Sequence, residues 1–207
     1  MLKIGVLVSG GGTNLQAIMD AIETQGINAE IVSVVSSNPK AYALERAAKK
    51  GIEAICMRKR DYADAKAYDL ALAEHFKSRG VGLVVLAGFM TILGEDFVNA
   101  FENKIMNIHP ALIPSFCGDG FYGLHVHEAV LEKGVKLTGA TVHFVSPITD
   151  GGPIILQKAV EVMDDDTPEV LQKRVMEQAE WKIFPEAIRL FAEGKLEVVG
   201  NKVRIKR

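Results

Sequence analysis

The feature that most constrains the fold of this chain is an alternation. Short apolar runs rich in β-branched residues are separated by segments whose apolar residues recur at helical spacing. Ile4 to Ser9 reads as a buried strand, followed by a glycine loop. A helix then runs from Asn14 to about Gln25, with Leu15, Ile18, Met19 and Ile22 on one stripe and Gly26 as its stop. Ile31 to Ser36 is a second buried strand; Pro39 opens a helix reaching Lys50, and Gly51 ends it before a short strand around Ile55. Ala65 to Ser78 is a third helix. Leu83 to Ala87 is apolar on both alternating faces, as a central parallel strand must be, and Ile105 to Ile108 is the next strand, ending at His109-Pro110. This rhythm predicts an α/β fold: an open, mainly parallel twisted sheet with helices on both faces and right-handed crossovers.

From Thr138 the texture changes. Ala140 to Val145 and Ile154 to Val162 are strand-like runs joined through Asp150-Gly151-Gly152-Pro153, which predicts a mixed or antiparallel edge in the C-terminal half. A long helix starts near Asp166-Thr167-Pro168-Glu169, where Asp166 and Glu169 have capping-box spacing, and continues toward Phe191 with a bend at Pro185. Leu196 to Val199 and Val203 to Ile205, around Gly200-Asn201, read as a terminal hairpin.

Function classes narrow on charge and cysteine content. A formal charge of −2 provides no global basic field for nucleic acid or anionic membrane. Cys56 and Cys117 are the only cysteines and have no metal-ligand spacing around them, so neither a disulfide framework nor a structural zinc site is expected. No run approaches the roughly 18 to 20 apolar residues that span a bilayer, and the N-terminal apolar run stops at glycines, too short for a signal segment. The expectation is a cytoplasmic protein, one domain over its 207 residues, without nucleic acid or membrane as partners, and either a monomer or homodimer is compatible with it.

Four signals could carry chemistry. Ser9-Gly10-Gly11-Gly12-Thr13-Asn14 lies between a strand and a helix, where glycine N–H groups and the helix N-terminus favour a phosphate. The loop departs from G-x-G-x-x-G at Leu15, and Ser36-Ser37-Asn38 supplies no acid for a dinucleotide ribose; a tight turn without ligand is the alternative. Asn107 and His109 are two apart at a strand end and emerge on one face, where an amide and an imidazole converge; the bland alternative is a His satisfied by local backbone and an Asn capping a loop. Asp150 is by itself a turn former, but as a carboxylate reaching His109 it would raise the imidazole pKa. Glu180 projects from or beside the apolar stripe of the last helix, either as a solvated edge residue or as a binding group in a cleft. His125 and His127 have the spacing of a strand-borne metal pair, but no third ligand completes a site.

In order along the chain, these pieces resemble the folate-dependent glycinamide ribonucleotide formyltransferases of purine synthesis. The resemblance is carried by the glycine loop through Leu15, Leu86-Ala87-Gly88-Phe89-Met90, Asn107-Ile108-His109-Pro110, Gly123-Leu124-His125 with His127, and Val142-His143-Phe144-Val145 leading to Asp150-Gly151-Gly152-Pro153. It runs from Lys3 to about Phe191. It implies the formyltransferase fold, with a Rossmann-like phosphate-binding half over 1–104 and a catalytic and folate-binding half over 105–207. It also implies formyl transfer from the co-substrate 10-formyltetrahydrofolate to the ribonucleotide amine, without metal. Carried over residue by residue, Gly12, Thr13 and Asn14 resemble the ribonucleotide-phosphate loop, and Glu180 the acid on the amine or ribose side. Met90, Thr91, Ile92 and Leu93, with Ser146, Pro147, Ile148, Thr149 and Asp150, line the implied folate pocket, which Asn107 also touches. Asn107, His109 and Asp150 match the catalytic trio.

Two departures stand out. Ser115 to Tyr122 is longer than the corresponding family segment, and a basic folate contact is assigned to none of Lys59, Arg60 and Lys66. Two neighbouring readings are a formyltetrahydrofolate hydrolase or a methionyl-tRNA formyltransferase. Both carry further domains, and tRNA binding favours a basic surplus that this chain lacks. A non-catalytic phosphate-ligand module would need the glycine loop but not the trio.

Overall fold

Strands and helices alternate as the apolar periodicity requires, in a computed structural model that describes residues Met1–Lys206. Seven strands form one sheet in the order β3-β2-β1-β4-β5-β6-β7: β1 Leu2–Val8, β2 Ala29–Ser36, β3 Glu53–Cys56, β4 Leu83–Leu86, β5 Ile105–His109, β6 Leu137–Phe144 and β7 Ile154–Glu161. The chain divides into two compact units, Met1–Met106 and the residues from Asn107 onward.

In the first unit β1 pairs in parallel with β2 and with β4, and β2 with β3, so β1 and β4 are buried strands whose residues Ile4, Val6, Leu7, Leu83, Val84 and Val85 are fully covered. The helices are α1 Thr13–Gln25, α2 Tyr42–Lys49, α3 Ala65–Lys77 and α4 Glu95–Ala100. Gly26 ends α1 in the left-handed conformation, as a C-terminal glycine does. Pro39 does not open α2: it sits in a turn in which the Ala41 N–H donates to the Asn38 carbonyl, and the helix begins three residues later, at Tyr42. Phe76 of α3 packs edge-on against Phe97 and Phe101, and the side of Gly5 faces the Phe76 ring. A Cβ at residue 5 would stand 2.5 Å from Phe76 Cε1. Gly5→Ala is therefore expected to cost about 1–3 kcal/mol through overpacking, read as a lower midpoint in denaturant unfolding.

In the second unit β6 and β7 are antiparallel, the expected edge, with a register shift between Val142 and His143. The helices are α5 Leu124–Lys133, α6 Pro168–Val175 and α7 Trp181–Ala192, and β8 Leu196–Val199 pairs with β9 Lys202–Ile205 as the terminal hairpin. Thr167, not Asp166, caps α6 by accepting the Val170 N–H; Asp166 instead accepts the Met163 N–H and pairs with Arg174. The long helix is interrupted by one π-helical turn, Met176–Glu180, and Pro185 lies within α7, so the irregularity falls one turn ahead of the proline. No helix of the described residues is long and apolar enough to cross a membrane.

Candidate active site

In the first unit the glycine loop follows β1 and leads into α1. Gly12 is left-handed (φ 73°), and its side faces Ala43 of α2, while Cβ atoms built on Gly10 and Gly11 meet nothing within 4 Å. The Arg46 guanidinium holds the loop from beneath, donating from Nε to the Gly11 carbonyl at 2.8 Å. The loop thus carries open backbone next to the positive end of a 13-residue helix. Thr13 begins that helix, and Asn14 is buried.

The strip Met90–Leu93 follows β4 and is exposed at Met90 and Ile92, though held from three directions. The Met90 N–H donates to Ser9 Oγ at 2.8 Å, and Lys59 Nζ donates to the Ile92 carbonyl at 3.2 Å. Buried Asp69 accepts a backbone hydrogen bond from Gly94; burial pushes its carboxyl pKa up. Of the three basic residues left open, Lys59 is the one held against this strip. Arg58 is taken by Asp61.

In the second unit Asn107 and His109 leave β5 on one face and meet Asp150 and a fourth residue, His143. His109 is buried at 4% exposure; its Nε2–H donates to the Phe116 carbonyl at 2.7 Å, and its Nδ1 is 3.5 Å from Asp150 Oδ2. That tautomer makes Nδ1 the site of proton uptake, where a second proton would face the carboxylate. Asp150 raises the His109 pKa, as a carboxylate reaching the ring should, but burial is the larger effect and carries the net value below the ordinary one, so the imidazole is neutral at pH 7. Burial also pushes the Asp150 carboxyl up. The His143 ring, the Gly118 N–H at 2.9 Å and the His109 imidazole outweigh that, and the net shift is downward.

His143 went unassigned in the sequence, although it lies in the Val142-His143-Phe144 motif. Its Nδ1–H donates to the Phe144 carbonyl at 2.9 Å, leaving Nε2 to accept from Asn107 Nδ2 at 3.2 Å. The register shift beside it re-aims the side chain, a common use of irregular strands beside active sites. The signal that could have found it is spacing: a His seven residues before Asp150 on a strand. The long 115–122 loop supplies the Phe116 carbonyl and Gly118 N–H, so its backbone completes the surroundings of the pair. A cavity of about 630 Å³ opens beside Asp150, lined by Ile113, Cys117, Thr149 and Lys202 among others.

Glu180 is buried at 6% exposure in the π-helical turn, which removes the reading of a solvated edge residue. His125 and His127 lie on α5, not on a strand; two apart on a helix they point to different sides, His125 exposed and His127 fully buried. Neither ring nitrogen of His127 has a hydrogen-bond partner among the described residues, and burial, with a smaller contribution from His109, carries its pKa down to about 4. The unfolded chain therefore binds a proton there that the native protein refuses, and stability is lost as pH falls below 6.5. Between pH 7 and pH 5 the native protein should lose about 2 kcal/mol more than His127→Gln, checked by urea unfolding at both pH values.

The sequence profile of the formyl transferase family matches residues 2–188. Phosphoribosylglycinamide formyltransferase of Haemophilus influenzae is 39% identical over 201 residues, 97% of this chain and 92% of that protein. The trifunctional purine biosynthetic protein adenosine-3 of Drosophila pseudoobscura pseudoobscura is 42% identical over 96% of this chain, which spans only 14% of that longer relative. The crystal structure of glycinamide ribonucleotide transformylase 1 from Symbiobacterium toebii superposes with a TM-score of 0.94 at 47% identity, covering 100% of this chain and 95% of that one. With likeness of that extent in both sequence and fold, the chain belongs to the formyl transferase family, among the phosphoribosylglycinamide formyltransferases.

Proposed function

We propose that the protein transfers the formyl group from 10-formyltetrahydrofolate to the primary amine of glycinamide ribonucleotide, as a cytoplasmic enzyme of purine synthesis. The observation that carries this reading is the convergence of Asn107, His109, His143 and Asp150: an amide held by one imidazole, and a second imidazole facing a carboxylate. Attack of the amine on the formyl carbon turns the carbonyl oxygen into an oxyanion. Asn107 gives one amide hydrogen to His143 and keeps the other for that oxygen, a contribution of about 3–4 kcal/mol for a preorganised donor. Neutral His109 accepts the proton shed by the attacking nitrogen at Nδ1, where Asp150 stabilises the imidazolium, and returns it to the departing folate nitrogen through water.

Gly12, Thr13 and Asn14 hold the ribonucleotide phosphate, and Glu180 the amine or ribose side. Met90 to Leu93 and Ser146 to Asp150 contact the folate, with Lys59 as the cation at its rim. The test is an absorbance assay of deformylation with purified protein and a formyl-folate, run with and without glycinamide ribonucleotide. Turnover that requires the ribonucleotide is the expected result. Turnover without it would make the protein a hydrolase, and binding without turnover would make it a ligand module.

A further inference from the structure

Ser9 sits where the strand order reverses direction. β1 lies between β2 and β4, and Ser9 follows β1 directly, at the crevice where open parallel sheets receive ligands. Its Oγ is 2.7 Å from Ser37 Oγ, beyond the end of β2, and accepts the Met90 N–H at 2.8 Å, beyond the end of β4. Its own N–H donates to the Gly88 carbonyl at 3.1 Å. The residue that opens the glycine loop therefore holds the folate strip at Met90 with its side chain and the residue two before it, Gly88, with its backbone. The other anchors of that strip, Lys59 at Ile92 and Asp69 at Gly94, tie it to the segment around α3 and not to the glycine loop.

We propose that Ser9 is a positioning residue that couples the two substrates. Phosphate seated on Gly12–Asn14 fixes the Ser9 hydroxyl, the hydroxyl fixes the Met90 amide, and the strip takes the shape that receives folate. By linkage, each substrate then tightens the binding of the other by the same factor. The coupling rests on the function proposed above. Met90 is 53% exposed, so without the hydroxyl its N–H turns to water and the strip loosens while the core stays intact.

Calorimetric titration with glycinamide ribonucleotide and tetrahydrofolate tests this, because the pair lacks a formyl group and cannot react. Each ligand is titrated alone and in the presence of the other, for the native protein, Ser9→Ala and Ser37→Ala. The native protein is expected to show mutual tightening of about fivefold. In Ser9→Ala the ratio falls to within about twofold of unity, while Ser37→Ala, which leaves the Met90 bond in place, keeps most of the coupling. If Ser9→Ala does not fold, Ser9→Cys, a similar volume with a weak acceptor, makes the same comparison. Coupling that survives loss of the Ser9 hydroxyl, equal loss in Ser37→Ala, or independent binding in the native protein would overturn the proposal. If neither ligand binds the native protein, the proposed function fails and the coupling with it; if both bind independently, only the coupling fails.

Discussion

Replacing His109 with alanine is expected to lower kcat by about 10²–10⁴-fold while changing glycinamide ribonucleotide affinity by less than about threefold. In the proposed reaction the imidazole is the group through which the transferred proton passes, whereas the ribonucleotide phosphate is assigned to the glycine loop. Its geometry leaves one nitrogen for that work, since the Phe116 carbonyl takes the Nε2–H and Nδ1 faces Asp150 at 3.5 Å. Asp150→Asn should fall in the same range, because an amide cannot stabilise the imidazolium and its NH₂ competes for the Gly118 region. The two losses should not add: once His109 is gone, Asp150 has no imidazolium to stabilise, and the double variant should turn over about as slowly as His109→Ala alone. Steady-state kinetics with each substrate varied, alongside direct ribonucleotide titration, checks the series. A near-native kcat in His109→Ala would remove the residue from the reaction.

Gly12→Ala is expected to weaken ribonucleotide binding by about 10–100-fold with a much smaller effect on folate binding. Two penalties act at one atom. The backbone is left-handed at φ 73°, a conformation that disfavours a side chain, and the added Cβ would lie 2.6 Å from Ala43 Cβ and 2.9 Å from Ala43 Cα. Ala43 is fully buried on α2 and its Cα is backbone, so the helix cannot yield and the loop must lift. Lifting breaks the Arg46 bond to the Gly11 carbonyl and turns the N–H groups away from a common point. Because the fault is local to an exposed loop, the unfolding midpoint should change little. Titration calorimetry against thermal denaturation separates the two effects, and unchanged ribonucleotide affinity would place the phosphate elsewhere.

The βα rhythm was legible in the chain because burial dictates periodicity: β4 is apolar on both faces and lies inside the sheet, while β6 and β7 carry the looser pattern of an antiparallel edge. Boundaries that depend on one competing hydrogen bond were not. Asp166 and Thr167 both suit a helix start, and the choice went to Thr167 because Asp166 is drawn to Arg174 and the Met163 N–H. The pair His125 and His127 shows the same limit, since spacing carries a face only once the element is known, and α5 puts one ring in solvent and the other in the core.

For the site, sequence by itself determined which chemical groups are present and roughly where: a glycine loop at a strand end, an amide and imidazole on one face of β5, and a carboxylate in a turn. These follow from local rules of two- and four-residue spacing. Only the tertiary structure decided that His143 holds Asn107 and that the 115–122 loop supplies a carbonyl and an N–H to His109 and Asp150. It also decided that burial, not the neighbouring carboxylate, sets the net direction of the His109 pKa. Such contacts join residues 7 to 36 apart in the chain, and desolvation depends on everything packed around a group, so neither has a local signature.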